Sequence, residues 1–240
     1  IIGDGEAETG PLATSWQLNK FLNPLTDGVV LPILHLNGYK IANPTILARI
    51  SKEELTMYFE GMGWEPFFVE YENVSQIHER MATVLDSIVL KIQEIKKQAQ
   101  AQSNVTRPFW PMIILKTPKG WTGPKIVDEK IIEGTFRAHQ VPVIVDQDHK
   151  ENLEILEEWL KRYRPWELFD ETGALKKGLQ ELIPKKELRM GANVHANGGL
   201  LLKELNIPDF RNYTIDVKTP GKIKESDMTI LSLFIRDIIK

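Results

Sequence analysis

The chain alternates apolar runs with segments of helical periodicity. The apolar runs predict strands over Val29–Leu36, Trp64–Tyr71 and Trp110–Lys116, and the first run is apolar on both faces, as in a buried parallel strand. Over Ser75–Gln102 the apolar residues recur at helical spacing, which predicts a long amphipathic helix. Strands that alternate with helices predict an α/β fold, a three-layer αβα arrangement with a mainly parallel sheet between two layers of helices.

Shorter signals divide the rest of the chain. Further helices are predicted over Glu6–Phe21, from Ser51 to Gly61 or Gly63, over Asn152–Tyr163 and over Met228–Ile239. Pro11 suits the first turn of a helix, where its missing N–H group is not needed. Pro32 cannot donate a hydrogen bond to a neighbouring strand, so we expect an irregularity within the first apolar run.

Two polar residues stand where predicted strands end. Asp4, in a Gly-Asp-Gly motif, directly follows an apolar pair, and Asn37 directly follows the first long apolar run. The carboxyl ends of parallel strands meet at one edge of a sheet, where ligands of α/β proteins bind. We therefore expect Asp4 and Asn37 to lie close together at that edge.

These residue types suit a magnesium site. Mg²⁺ prefers oxygen ligands and completes its shell with water and phosphate oxygens, so Asp4, Asn37 and the Tyr39 backbone carbonyl could bind it together with a diphosphate. Gly3 and Gly5 allow the backbone to turn sharply near a bulky anion. A helix that begins after Gly5 would direct its free N–H groups at that anion. Each short motif is otherwise typical of a turn, so spacing alone leaves a purely structural interpretation open.

Composition narrows the class of protein. A formal net charge of −3 gives no electrostatic argument for a nucleic-acid partner. The sequence contains no cysteine, which excludes disulfides and fits a cytoplasmic protein. We find no membrane-spanning apolar run and no signal peptide, so we expect no membrane partner. The chain starts without methionine, in what resembles the tail of a strand, and we therefore expect a fragment of a longer protein.

Four longer motifs resemble the phosphoketolases, which are thiamin diphosphate-dependent enzymes. The motifs are GDGEAETGPLATSW from Gly3, FLNPLTDGVVLPILHLNGYKIAN from Phe21, KTPKGWTGP from Lys116 and GANVHANGG from Gly191. The resemblance extends over the whole chain and implies a three-layer αβα thiamin diphosphate-binding fold, truncated on its N-terminal side. It also implies that residues 1–217 belong to the domain that binds the cofactor diphosphate and Mg²⁺, and that residues 218–240 form a linker and a helix towards the next domain.

The resemblance implies a reaction as well. Phosphoketolases cleave xylulose 5-phosphate or fructose 6-phosphate with inorganic phosphate, and they release acetyl phosphate and an aldose phosphate, either glyceraldehyde 3-phosphate or erythrose 4-phosphate. They use thiamin diphosphate and Mg²⁺, for which Ca²⁺ is an alternative. We expect the full-length chain to form a homodimer or a higher homo-oligomer, and we expect the 240-residue piece to be inactive alone.

Two other functions stay open on the sequence. One is a transketolase-like transfer to an aldose acceptor, which would use the same cofactor. The other is a non-catalytic module that binds Mg²⁺ and a phosphate ligand. The sequence also does not rank xylulose 5-phosphate against fructose 6-phosphate as the substrate.

The same resemblance makes Lys119 and His139 the expected catalytic residues, which would polarise the substrate and transfer protons beside the thiazolium. The residues expected to bind the cofactor are Gly3, Asp4, Gly5, Glu6, Asn37, Tyr39, Lys119 and His139. The expected metal ligands among them are Asp4, Asn37 and Tyr39. Without the resemblance, Lys119 would be interpreted as a solvated loop charge and His139 as a structural histidine.

Other polar residues keep two interpretations. His35, within an apolar run, is either a core histidine or a neighbour of the cofactor. His195, in a glycine-rich loop, is either a ligand contact or part of a structural turn. Glu6 and Glu8 are expected to occupy a first helical turn, where acidic residues are favourable, rather than to form a catalytic pair.

Overall fold

A computed structural model of the chain describes residues 1–71, 73–101, 106–192 and 205–239. These residues form two compact units, Ile1–Pro165 and Trp166–Lys240. The first unit contains a parallel sheet between helical layers, which confirms the predicted α/β class and its three layers. Among the described helices, none is long and apolar enough to cross a membrane.

Four parallel strands form the sheet of the first unit. In their order across the sheet they are β1 (Ile2–Gly3), β2 (Ile33–Leu36), β4 (Trp110–Lys116) and β3 (Trp64–Glu70). Gly3 pairs with His35, and Leu36 pairs with Lys116. This register brings the carboxyl ends of β1, β2 and β4 to one level at one edge of the sheet.

Several helices cover one face of the sheet. They are α1 (Asp4–Ala7), a 3₁₀ helix (Trp16–Phe21) and α3 (Lys52–Gly61), while α2 (Gly10–Ser15), which has no buried residue, links the first two. Trp16 and Phe59 contact edge to face with ring centroids 5.0 Å apart, and both are buried in one cluster with Trp110 of the sheet. Ser51 caps α3 as predicted, because its side chain accepts a hydrogen bond from the Glu54 N–H group.

The long helix α4 (Val74–Ala101) covers the opposite face. Its Ile77 and Ile88 are buried against Val69 and Ile113 of the sheet. The predicted amphipathic helix is therefore confirmed. Two hydrophobic clusters on opposite faces of the same sheet hold the three layers together.

The prediction of one continuous helix over Glu6–Phe21 is wrong. The segment forms three short helices, because the backbone is extended at Thr9 and left-handed at Gly10 (φ +57°), the first residue of α2. Pro11 follows in the first turn of α2, as predicted. Because α1 is a single turn that begins at Asp4, it does not offer an anion the N-terminal dipole of a long helix.

Strand β2 is shorter than the predicted strand Val29–Leu36. The ladder starts at Ile33, directly after Pro32, which has no N–H group to donate. The Pro32 carbonyl still accepts a hydrogen bond from the Ile113 N–H group at 2.9 Å. The predicted irregularity is therefore confirmed, and it limits the strand on its N-terminal side.

An irregular region follows β4 and completes the first unit. It contains an antiparallel ribbon of β5 (Ile126–Val127) and β6 (Lys130–Ile131), a 3₁₀ helix (Phe136–His139) and α5 (Asn152–Arg162). The sequence predicted α5 but not the ribbon, whose turn depends on left-handed Asp128 and Glu129 (φ +48° and +61°). Val127 and Val143 are buried in a small cluster that Trp159 of α5 joins.

The second unit is built from short helical segments. They are α6 (Pro165–Leu168), which starts at the junction of the units, α7 (Lys177–Gln180), 3₁₀ helices over Lys186–Leu188, Met190–Ala192 and Phe210–Tyr213, and α8 (Asp227–Ile239). The Tyr213 hydroxyl donates a hydrogen bond to the Asp237 carboxylate of α8 at 2.8 Å. Helix α8 confirms the predicted last helix, whereas the boundary between residues 217 and 218 stays a prediction.

The turn before α5 contains a histidine whose titration can be tested. The Asp146 carboxylate is 2.8 Å from His149 Nδ1, and this hydrogen bond raises the pKa of His149 and lowers the pKa of Asp146. Asp146→Asn should therefore return the His149 pKa towards its ordinary value of 6.5. NMR titration of the histidine ring protons measures this change, with His149→Gln to assign the resonance. An unchanged pKa in the variant would contradict the pairing.

The sign of the accompanying pH dependence follows from the two shifts. Because the pKa of His149 is raised, the pair stabilises the folded protein fully below the unfolded value of 6.5, and this contribution is lost as pH rises through the folded pKa of His149. Because the pKa of Asp146 is lowered, the contribution is present above 3.8 and is lost as pH falls through the folded pKa of Asp146. Asp146→Asn should cost most stability between these limits.

Candidate functional site

Asp4 lies at the end of β1 and is buried, with 1% of its surface exposed. Its Oδ2 accepts hydrogen bonds from the Gly38 N–H group at 2.7 Å and from the Thr45 hydroxyl at 2.9 Å. Its Oδ1 accepts from the Gly5 N–H group at 3.1 Å. No Lys, Arg or His among the described residues forms a salt bridge with it. Asp4 is therefore a buried carboxylate that meets neutral donors, and a cation would offset the cost of burying its charge.

The 37–48 loop follows β2 and folds over Asp4. Gly38 is left-handed (φ +95°), a conformation that glycine adopts without strain. Its carbonyl accepts a hydrogen bond from the Thr45 N–H group at 3.0 Å, and Asn37 Oδ1 accepts from the Tyr39 N–H group at 3.2 Å. The structure thus places Asp4 and Asn37 at one sheet edge, because Asp4 contacts Gly38, which directly follows Asn37 in the chain. Their role as metal ligands stays a prediction.

Lys119 reaches the same place from the loop that follows β4. Its Nζ donates a hydrogen bond to the Tyr39 carbonyl at 2.8 Å, and this carbonyl is an expected metal ligand. The Lys119 carbonyl accepts from the Gly134 N–H group at 2.7 Å, which fixes the loop at its base. Lys119 therefore joins Asp4, Asn37 and Tyr39 in one cluster.

His139 lies beside the Lys119 loop and not within its hydrogen-bonded cluster. It ends the 3₁₀ helix Phe136–His139, and its side chain is exposed. Gly120 (φ +70°) approaches that helix so closely that a Cβ there would collide with Ala138. The structure therefore packs the Lys119 loop against the helix that contains His139, and it leaves the imidazole at the surface.

Two side chains, Trp159 of α5 and Tyr163 directly after it, hold the Lys119 loop from another direction. The Tyr163 hydroxyl is 2.7 Å from Thr122 Oγ1 and accepts a hydrogen bond from Trp159 Nε1 at 2.9 Å. Thr122 is left-handed (φ +77°), which is a strained conformation for a β-branched residue. The contact with α5 stabilises this strained turn just after Lys119.

His35 connects two strands below the cluster. Its Nε2 is 2.7 Å from Thr117 Oγ1, at the end of β4. Burial lowers the pKa of His35, the Asp4 charge raises it, and the Lys119 charge lowers it. Of the two interpretations of His35, the contact favours the structural one, in which a half-buried histidine joins β2 to the residue that follows β4.

Glu8 is a neighbour of the site that the sequence did not predict. It lies just after α1 instead of in a first helical turn, whereas Glu6 occupies the first turn as expected. Glu8 Oε2 accepts from the Ile46 and Leu47 N–H groups at 2.7 Å and 3.0 Å, and its Oε1 is 2.6 Å from Lys40 Nζ. These backbone partners lie 38 and 39 positions along the chain, so no local pattern reveals them.

The remaining predicted residues are the glycines of the first motif and His195. A Cβ at Gly5 would lie 3.2 Å from Lys40 Cγ, and a Cβ at Gly3 would collide with the Glu6 carboxylate. The 37–48 loop therefore approaches the backbone closely at Gly5, whereas the Glu6 side chain near Gly3 is flexible and could move away from a larger residue. His195 lies outside the described residues.

The oxygens of the cluster fit a magnesium ion. A carboxylate has about four acceptor positions and an amide or carbonyl oxygen has two. Within the described residues, Asp4 accepts three hydrogen bonds, Asn37 Oδ1 accepts one, and the Tyr39 carbonyl has one close donor. The same residues contain no group of three or more His, Cys, Asp or Glu that could hold a metal ion. One carboxylate with neutral oxygens suits Mg²⁺, which completes its shell with phosphate oxygens and water.

Comparison with known proteins gives consistent matches. A family model described as the XFP N-terminal domain matches residues 1–201. A probable phosphoketolase from Clostridium acetobutylicum is 61% identical over 240 residues. A probable phosphoketolase 2 from Rhizobium meliloti is 59% identical, and one from Lactiplantibacillus plantarum is 54% identical, each over 240 residues. Each match covers 100% of this chain but 30–31% of the relative, so the chain spans about 30% of the length of these proteins.

Thr45→Val tests how Asp4 is held. Valine keeps the shape of the buried threonine but removes the hydroxyl that donates to Asp4 Oδ2 at 2.9 Å. Loss of a donor to a buried charge should lower the free energy of unfolding by about 1–3 kcal/mol. Urea unfolding measures the loss, and Thr45→Ser, which keeps the hydroxyl, is the control that should cost less. A valine variant as stable as the parent would contradict this account of Asp4.

Proposed function

Since this chain belongs to the phosphoketolase family, we propose that it forms the diphosphate- and metal-binding part of a longer thiamin diphosphate-dependent enzyme. The main support is the buried Asp4 carboxylate, held beside Asn37 at the carboxyl ends of β1 and β2. The coverage of 30% of a relative's length supports a longer enzyme. By the family resemblance, we also propose that this enzyme is a cytoplasmic homodimer or higher homo-oligomer.

The proposed reaction is that of a phosphoketolase. A ketose phosphate, either xylulose 5-phosphate or fructose 6-phosphate, reacts with inorganic phosphate to give acetyl phosphate, water and an aldose phosphate. The aldose phosphate is glyceraldehyde 3-phosphate or erythrose 4-phosphate, respectively. Bound thiamin diphosphate would supply the nucleophilic carbon and the electron sink that cleavage beside a carbonyl requires. The residues of this chain would bind and orient the cofactor and would polarise the substrate.

Three oxygens would hold Mg²⁺ in this proposal. They belong to the Asp4 carboxylate, the Asn37 side-chain amide and the Tyr39 backbone carbonyl, and the ion would offset the buried charge of Asp4. The backbone around the first turn of α1 would line the diphosphate at Gly3, Gly5 and Glu6. Glycine suits this place because it has no Cβ to keep the backbone away from the phosphate oxygens.

Lys119 and His139 are the proposed catalytic residues. The contact of Lys119 Nζ with the Tyr39 carbonyl, at 2.8 Å, fixes the ammonium beside the proposed metal ligands. A fixed positive charge stabilises the negative charge that develops on a substrate oxygen. The exposed imidazole of His139 can accept a proton from the substrate and return it.

The reaction can be tested on the full-length enzyme. With xylulose 5-phosphate, inorganic phosphate, thiamin diphosphate and Mg²⁺, it should form acetyl phosphate and glyceraldehyde 3-phosphate in equal amounts. Conversion of acetyl phosphate to its hydroxamate measures one product, and a coupled dehydrogenase measures the other. A reaction that needs an aldose acceptor instead of phosphate would identify a ketol transferase and contradict the proposal.

Asp4→Asn tests the metal site in the same enzyme, because it keeps the size of the side chain but removes its charge. This variant should lose Mg²⁺-dependent binding of thiamin diphosphate, as measured by calorimetry, and with it the formation of acetyl phosphate. If the unmodified enzyme bound a plain nucleotide in preference to thiamin diphosphate, the chain would be a phosphate-ligand module instead.

Lys119→Met should separate catalysis from binding. Methionine keeps the length of the side chain but removes the ammonium, so kcat/KM for the ketose phosphate should fall by about a hundredfold or more. His139→Asn should cause a comparable loss if the imidazole transfers a proton, since such groups contribute about 10²–10⁴-fold. Steady-state kinetics of the full-length enzyme measures both, with the exposed Lys130→Met as control. Unchanged kcat/KM in either variant would remove that residue from the catalytic machinery.

A further inference from the structure

Glu8 has an arrangement that the proposed reaction does not use. Its side chain is nearly buried, with 6% exposed. One carboxylate oxygen accepts hydrogen bonds from two consecutive N–H groups, those of Ile46 and Leu47, at 2.7 Å and 3.0 Å. The other oxygen is 2.6 Å from Lys40 Nζ. Burying a carboxylate costs free energy, and two charge-assisted backbone bonds and an ion pair offset that cost here. This arrangement indicates a specific role for Glu8.

The partners of Glu8 all belong to the 37–48 loop, which also contains two of the proposed metal ligands. Asp4 holds the loop at Gly38 and Thr45, and Glu8 holds it at Lys40 and at the backbone of residues 46 and 47. The two carboxylates stand at opposite ends of the short helix α1. The loop is therefore fastened at both ends of α1, at two separate places.

The loop depends on such anchors because it has little regular structure of its own. All of its residues are described, and its ladder contacts amount to an isolated bridge between Tyr39 and Pro44. Lys40, which pairs with Glu8, directly follows Tyr39, whose carbonyl is a proposed metal ligand. The Lys40 N–H group also donates to the Asn43 carbonyl at 2.7 Å, so movement of Lys40 would move the turn that sets the Tyr39 carbonyl.

We infer that Glu8 is a positioning residue, which fixes the Asn37 and Tyr39 oxygens where a magnesium diphosphate is bound, without being a ligand itself. This inference rests on the proposed function, because it assumes that the loop binds the metal. Asp4 serves both the loop and the metal, whereas Glu8 serves the loop alone. Removing Glu8 should therefore weaken cofactor binding while every proposed ligand is still present.

The test is calorimetry on the full-length enzyme stripped of cofactor, with thiamin diphosphate titrated at fixed Mg²⁺. Glu8→Ala should weaken binding by about tenfold, since it removes a charged acceptor from two backbone N–H groups. Glu8→Gln keeps an acceptor oxygen and should lie between Glu8→Ala and the parent. Lys40→Met keeps the loop bonds and should weaken binding by about threefold, as a partly exposed ion pair predicts.

Glu65→Gln is the matched control. Glu65 of β3 also pairs with a lysine, Lys91, at 2.7 Å, but it does not touch the loop. The affinity of the Glu65→Gln enzyme for the cofactor should equal that of the parent. Thermal unfolding of each variant measures any general loss of stability, which would reduce the number of binding sites but not the affinity of those that remain. At saturating cofactor, kcat of Glu8→Gln should return towards the parent value.

The outcomes separate this inference from the proposed function. If the parent enzyme does not bind thiamin diphosphate with Mg²⁺, the proposed function is wrong. If the parent binds and both Glu8 variants bind as tightly as it does, the function stands and the role of Glu8 is overturned. Should Glu8→Ala not fold, Glu8→Gln and Lys40→Met decide the question, and parent-like affinity in both would overturn the inference.

Discussion

The burial of the Asp4 carboxylate is the constraint on which the site depends. A carboxylate that is 1% exposed must be given donors or a cation, because water cannot solvate it. The sheet edge supplies the Gly5 N–H group, and the 37–48 loop supplies the Gly38 N–H group and the Thr45 hydroxyl. If the loop left the end of β1, Asp4 would lose two of its three hydrogen-bond donors. Sheet edge and loop form one structure for this reason, although a long segment of chain separates them.

Two opposite charges, those of Asp4 and Lys119, lie at the same sheet edge, and both act on His35. Lys119 enters from the end of β4 and donates to the Tyr39 carbonyl at 2.8 Å, next to the loop that covers Asp4. His35 responds to both charges: burial is the largest cause of its lowered pKa, the Asp4 charge raises the pKa, and the Lys119 charge lowers it. The Gly134 N–H group fixes the base of the lysine loop, and Tyr163 and the 3₁₀ helix Phe136–His139 pack against the residues after Lys119. The ammonium thus has a defined position beside the Tyr39 carbonyl, which suits the electrostatic role proposed for it.

Local patterns predicted the parts of the fold that depend on local properties. The strand β4, the helices α4, α5 and α8 and the cap at Ser51 follow from apolar periodicity and from capping chemistry, and the structure has them at nearly the predicted bounds. The break after α1 was not predicted. Only Thr9 and Gly10 interrupt the helix there, and the residues around them favour a helix, so the stretch was interpreted as helical. Glu8 was missed for a different reason. Its partners lie 38 and 39 positions away, and such contacts leave no periodic trace in the sequence. The strand-end positions of Asp4 and Asn37 could be predicted, since parallel strands place their carboxyl ends together.

The charge of the candidate ligands distinguishes this site, with its one carboxylate, from a metal-storage site. The candidate ligands carry a single negative charge between them, on Asp4, and Asn37 and Tyr39 offer neutral oxygens. Such a set leaves a divalent cation with an excess positive charge, and the Lys119 ammonium beside it adds to that excess. If the site binds Mg²⁺ as proposed, an anion with several oxygens would balance its charge and fill the octahedral shell of the ion. Metal and diphosphate should therefore bind cooperatively, because each removes the electrostatic cost of the other.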